Sequence, residues 1–188
     1  MKAKCSIFDF MRINGYLVLL FSFVSVVKAD NSFDKLISSG KYKEAIEYAE
    51  EKLTERTPEI WIKLGKANEA VGMPEKALAC YLVAWRNDPE DYNALVGAAK
   101  VYNTLNQPDN ALNMAQKALQ KNFTAEASWE YARACISLNR SAEAKKALEK
   151  VIQSDSSNTI ANRELGQIYF VEKAWDKSIA LLKKISKE

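Results

Sequence analysis

The chain predicts an all-α fold, a solenoid of stacked helical hairpins with about four complete repeats and one partial N-terminal repeat. Three observations carry that expectation. The stretch "WIKLGKANEAVGMPEKALACYLVAWRNDP" (61–89) places two apolar-periodic segments on either side of a Gly-Met-Pro break, and a proline closes the second. A small residue recurs along the chain, at Ala45, Ala77, Ala111, Ala144 and Ser178, with intervals of 32, 34, 33 and 34 residues. Only 6 Gly and 4 Pro in 188 residues leave few tight turns, which favours helices over sheets.

The N-terminus comes first in the chain and reads as an address. Residues 16–27, "YLVLLFSFVSVV", form a 12-residue apolar run behind positive charge, and Val27 and Ala29 are small enough for signal-peptidase cleavage before Asp30. A membrane-spanning helix needs about 20 apolar residues, so a cleaved signal peptide over 1–29 is favoured over a retained signal-anchor. A start at Met11 would leave a shorter signal with Arg12 as its charged region. No cysteine follows the run where a lipid anchor would need one.

The repeats follow in order. Over 32–57, "GKYKEAIEYAEEKL" (40–53) reads as a second helix whose partner is cut short by the export signal. Over 58–91, Trp61, Leu64, Gly65, Ala77, Tyr81, Ala84 and Pro89 set the packing positions. Over 92–124 these are Leu95, Ala98, Ala99, Tyr102, Ala111 and Ala118, with a break at "NQPDN". Ala132, Ala144, Leu148 and Val151 serve over 125–158, breaking at "LNRSAE". Leu165, Gly166, Tyr169, Trp175 and Leu182 serve over 159–188, breaking at "EKAW". Small residues let paired helices approach closely, while the large ones fill the space between pairs. No pair buries its apolar face alone, so about three or more must stack.

The spacing of Trp61, Leu64, Gly65, Ala77, Tyr81, Ala84 and Pro89 resembles the tetratricopeptide repeat, with Asn68 standing where that pattern has Tyr. The resemblance runs over about residues 32–188 and implies a binding scaffold rather than a particular partner. In that family the first helices of successive pairs line a concave surface. The resemblance places Ile62, Val96, Trp129 and Arg163 in one row there, and Lys66, Lys100, Arg133 and Gln167 in a second row four residues later. These eight residues are the candidate peptide-binding set, apolar and basic stripes suited to a peptide with acidic and apolar side chains. Trp129 is the candidate anchor, with Arg133 placed to lie against its ring, or it is core if the frame shifts by one. The competing reading is that the basic residues solvate an exposed face and that Glu69, Glu130 and Glu164 neutralise them. Some family members clamp a C-terminal carboxylate, but the matching places here hold Ile62, Lys66, Gly97, Glu126 and Glu130, which lack most of the required side chains.

Composition narrows the function classes. The absence of His removes the commonest general base and metal ligand. Lys2, Lys4, Arg12 and Lys28 against Asp9 account for the whole formal charge of +3, and the neutral remainder argues against nucleic acid as a partner. Cys80 and Cys135 sit in helical apolar patterns and are expected as buried thiols. "DPED" (88–91) reads as a turn and helix start, and the triplets at Asn122 and Asn139 are formal glycosylation acceptors. The expected function is a non-catalytic scaffold without cofactor or metal, exported to a periplasmic or outer-envelope setting. Any membrane attachment would run through an uncleaved signal. The alternative is a self-assembling subunit, or a fragment of a longer repeat protein, that associates through Leu181, Leu182 and Ile185 of an uncapped last helix. An enzyme would need a carboxylate pair in a cleft.

Overall fold

The computed structural model describes residues 32–122 and 124–185, and among them every regular element is a helix. The expected export signal over 1–29 lies outside the described residues. Contacts divide the chain into two units, Met1–Glu55 and Arg56–Glu188. The described part of the first unit is a hairpin of α1 (32–38) and α2 (Tyr42–Lys52), turned at Gly40 with φ 73°. Its buried side chains include Phe33, Ala45 and Ala49.

The second unit holds four hairpins in sequence. They are α3 (Pro58–Ala70) with α4 (Pro74–Asn87), α5 (Tyr92–Thr104) with α6 (Pro108–Lys121), α7 (Ala125–Ser137) with α8 (Ser141–Ser154), and α9 (Thr159–Val171) with α10 (Trp175–Ile185). The four-hairpin register is the one the repeats predict. Each first helix begins on a side-chain cap that satisfies an orphan N–H: Thr57 accepts from Ile60, Asp91 from Ala94, Thr124 from Ala127 and Asn158 from Ala161. "DPED" is thereby explained by local bonding, since Asp91 caps α5 while the Asp88 carboxylate accepts the Glu90 N–H at 3.0 Å. Second helices start differently, and in α4 and α6 a proline occupies the first turn, where its missing N–H costs nothing.

Within every hairpin the chain reverses through one left-handed residue. The positions are Gly40, Gly72, Asn106, Asn139 and Lys173, with φ between 55° and 77°. Two residues' N–H groups at each turn reach back to the preceding helix, as when Met73 donates to the Asn68 carbonyl at 2.8 Å and Ala174 to that of Tyr169 at 2.8 Å. Glycine and asparagine tolerate this geometry, and lysine does so at a cost.

Alanines hold the hairpins together. Ala77, Ala99, Ala111, Ala115, Ala132 and Ala144 are fully buried, so paired helices pack backbone to backbone. Where the pattern departs from alanine, the polar atom is bonded: Ser178 is buried and donates to the Gly166 carbonyl at 2.8 Å. Asn68, in the place the repeat pattern gives to Tyr, donates to the Leu64 carbonyl at 2.8 Å. Cys80 and Cys135 are both free and buried, and burial raises each thiol pKa above its ordinary value. Successive repeats meet through α4 on α5, α6 on α7 and α8 on α9. The first helices also stack on one another, α3 on α5 and α5 on α7. That second set of contacts makes one continuous layer of first helices. Among the described residues no helix is long and apolar enough to cross a membrane.

Lys173→Gly is expected to stabilise the protein by about 0.5–1 kcal/mol, because glycine relieves the left-handed strain and gives back part of the gain in chain entropy. Urea unfolding of the two proteins measures this. Unchanged or lowered stability would mean that the Lys173 side chain makes a compensating contact.

Candidate functional site

A cavity of about 170 Å3 opens on the first-helix layer, reaching across α3, α5 and the start of α7. Helical spacing builds it. Lys66 and Glu69 stand three apart on α3, while Asn93, Val96 and Lys100 share one face of α5. Glu126 enters from the first turn of α7. Three of the eight sequence-derived candidates, Lys66, Val96 and Lys100, therefore line one cavity. Asn93 and Glu126 were legible in principle, each lying three residues before a candidate on its own helix.

The cavity floor depends on Tyr81, which comes from the second helix α4. Its ring passes between two first helices and is almost fully buried, at 1% exposure. Glycine on both sides makes the passage. A Cβ added at Gly65 would lie 2.7 Å from the ring, and one at Gly97 would lie 2.4 Å from it. The phenol then emerges and donates to the Glu69 carboxylate at 2.5 Å. Burial and the adjacent Glu69 both push the phenol pKa far above its usual value, so it stays a donor. Glu69 in turn holds the Lys100 ammonium of the next repeat at 2.8 Å. One chain of contacts thus joins core, α3 and α5.

This pairing changes the electrostatics expected from the basic stripe. Lys100 is held by Glu69 at 2.8 Å, and Arg133 by Glu130 at 3.0 Å. Glu130 is itself buried, at 3% exposure, and also accepts from the Asn103 amide of the preceding repeat at 2.8 Å. Its burial raises the carboxyl pKa, while Asn103 and Arg133 act against that rise. Of the stripe, Lys66 is exposed and has no ion pair among the described residues. Glu126, across the cavity, is also exposed. The surface is a mixed one, with a cation at one end and a carboxylate at the other.

The remaining candidates sit elsewhere. Ile62, at 7% exposure, belongs with Tyr81 and Leu95 in the core and offers little surface. Trp129 is half-buried and packs against the cluster of Ala132, Leu148 and Leu165, so much of its ring serves the contact between the third and fourth hairpins. Arg163 and Gln167 are exposed on α9, outside the cavity. Among the described residues no group of three or more Cys, Asp or Glu side chains is arranged to hold a metal ion.

Residues 132–187 match the tetratricopeptide-repeat family model. No curated protein matches the chain by sequence. Solved structures match over nearly all of the fold. A crystal structure of MamA aligns with a TM-score of 0.75 at 22% identity, covering 82% of this chain and 92% of that one. The MamA 41-end structure from Desulfovibrio magneticus RS-1 aligns with a TM-score of 0.76 at 16% identity, covering 86% and 93%. At such identities the likeness is one of fold.

Gly97→Ala is expected to cost about 1–3 kcal/mol, since the methyl would lie 2.4 Å from an almost fully buried ring that must shift to admit it. In a Tyr81→Leu background the same substitution should cost much less. Urea unfolding of the four proteins tests this, and an undiminished penalty in the leucine background would place the clash somewhere other than the ring.

Proposed function

We propose that the chain, whose fold and residues 132–187 match the tetratricopeptide-repeat type, works as a non-catalytic protein–protein interaction scaffold of the cell envelope, binding an extended partner segment across its first-helix layer. The observation that carries the reading is the cavity between Lys66 and Glu126. Its floor is preformed by Tyr81 and Val96, and its internal charges, Glu69 and Lys100, already satisfy each other. Such a surface needs little reorganisation on binding, which preserves affinity that ordering would otherwise consume. Asn93 supplies an amide able both to donate to and accept from a partner's backbone.

The mixed charge refines the partner chemistry. An all-acidic peptide would meet Lys66 at one end and be repelled by Glu126 at the other. A segment carrying an acidic residue, an apolar residue and then a basic residue fits the sequence Lys66, Val96, Glu126. The envelope setting rests on the apolar run at 16–27, its basic flank and the small residues before Asp30.

A second reading, self-association, is favoured by one observation. The last hairpin exposes a cluster of large apolar side chains, with Phe170 58%, Val171 79%, Trp175 50% and Ile179 49% exposed. Exposed apolar surface gathered on one hairpin marks an interaction face more often than scattered residues do. Leu181 and Ile185 are half-buried and take less part in it than the sequence predicts, whereas Leu182 is exposed.

In-cell crosslinking and capture with the full-length tagged chain tests the first reading. A partner held by the wild type should be retained at least about tenfold less by Lys66→Glu and by Glu126→Lys, a loss of roughly 1.4 kcal/mol each. Lys76→Glu on α4 should retain it fully. Equal capture by all four proteins removes the cavity as the binding site. Sedimentation at several concentrations tests the second reading: a wild-type chain that associates and an Ile179→Lys variant that does not would establish it, and two monomers would end it.

A further inference from the structure

We propose that the last hairpin joins two copies of this chain through a closed two-fold contact, with α10 of each copy packed antiparallel on α10 of the other. This contact rests on the self-association reading and specifies which surface of the second copy receives the apolar face. Apart from Met73, every exposed large apolar side chain among the described residues lies on α9 or α10. Apolar surface is stabilised by meeting apolar surface, and the second copy presents such a face only on the same hairpin. A head-to-tail stack would press it against helices whose large apolar side chains are already buried or half-buried.

The face is shaped to receive a helix. The position of Leu182 is held by Tyr81 in the first hairpin and Leu148 in the third, at 1% and 0% exposure, and each packs against the first helix of the following hairpin. Among the described residues no helix follows α10, and Leu182 is 39% exposed. Trp175, Ile179 and Leu182 recur at i, i+4 and i+7, so they form one stripe along α10. That spacing suits two helices packed side by side. The Phe170 ring meets the Trp175 ring edge-on, with centroids 5.1 Å apart, and prolongs the stripe onto α9.

Charge sets the direction of pairing. α10 carries Asp176 in its first turn and Lys183 and Lys184 in its last. Lys177 is drawn aside to Tyr169, its ammonium 5.4 Å from the ring centroid, and Glu172 is held by Lys145 at 2.8 Å. Parallel pairing would set two lysine-bearing ends side by side. Antiparallel pairing brings the lysine end of each copy to the Asp176 end of the other and opposes the two helix dipoles. A contact made by the same patch on both copies is complete at two. Ile179, the middle member of the stripe, then meets its own counterpart near the axis.

The test places opposite charges at Ile179 of the full chain and follows mass by light scattering over a range of concentrations. The wild type should reach a dimer and stop there. Ile179→Lys and Ile179→Glu change a side chain that is 49% exposed, and circular dichroism should show unaltered helix in both. Each alone should dimerise at least about tenfold more weakly than the wild type. An equimolar mixture of the two should recover the dimer, because lysine then meets glutamate across the axis. In a head-to-tail contact residue 179 faces a different residue, so mixing would rescue nothing. That result, or growth of the wild type beyond a dimer, would overturn the two-fold contact and leave self-association standing. A wild type that stays monomeric throughout ends both. Association undiminished in both variants would place the contact on another surface and overturn the proposal.

Discussion

The passage of the Tyr81 ring between Gly65 and Gly97 is the contact on which the surface of this protein depends. A side chain from the outer helix of one hairpin crosses the layer of first helices and places its oxygen on the far side. Close packing allows this only because two glycines in neighbouring hairpins vacate the space. Its hydroxyl then orients Glu69, and Glu69 orients Lys100, so the geometry of the exposed cavity is inherited from the core. A partly exposed ion pair such as Glu69–Lys100 contributes little by itself, on the order of 1 kcal/mol or less. Attached to a buried phenol it becomes a positioned feature.

The other hairpins solve the same packing problem with different residues, and the differences give each repeat its character. The position of Tyr81 is taken by Ala115, Leu148 and Leu182 in turn. None of these carries a polar tip, so the second and third hairpins rely on cross-repeat polar contacts from other helices. Asn103 reaches Glu130, and Tyr92 pairs with Thr124. In the last hairpin Leu182 stays 39% exposed, although it lies close to Gly166. Conserved geometry with changing side chains is how a quasi-one-dimensional stack varies its surface without altering its fold.

The fold was legible because its signals are local. Proline in the first turn of α4 and α6, left-handed Gly72 and Asn106 at the turns, and alanines about one repeat apart all act within a few residues. The site was only partly legible because its electrostatics are not local. Lys66, Val96 and Lys100 fall on one face by spacing alone, but the partner of Lys100 lies in the preceding hairpin, 31 residues away. Arg133 shows the reverse: Glu130 lies three residues earlier on its own helix, and its near-complete burial is what turns that neighbour into a firm partner. Trp129 was ambiguous from spacing because aromatic residues serve both cores and interfaces, and here its ring is shared with the contact to the next hairpin.

The most direct test of this account is a double-mutant cycle on Tyr81→Phe and Glu69→Gln, with unfolding free energies measured by urea for all four proteins. If the phenol transmits core geometry to the surface carboxylate, the two changes should be coupled by about 0.5–3 kcal/mol, the range for residues in direct contact. Additivity to within about 0.3–0.5 kcal/mol, the behaviour of independent sites, would show that the ring packs without positioning Glu69 and would contradict the account.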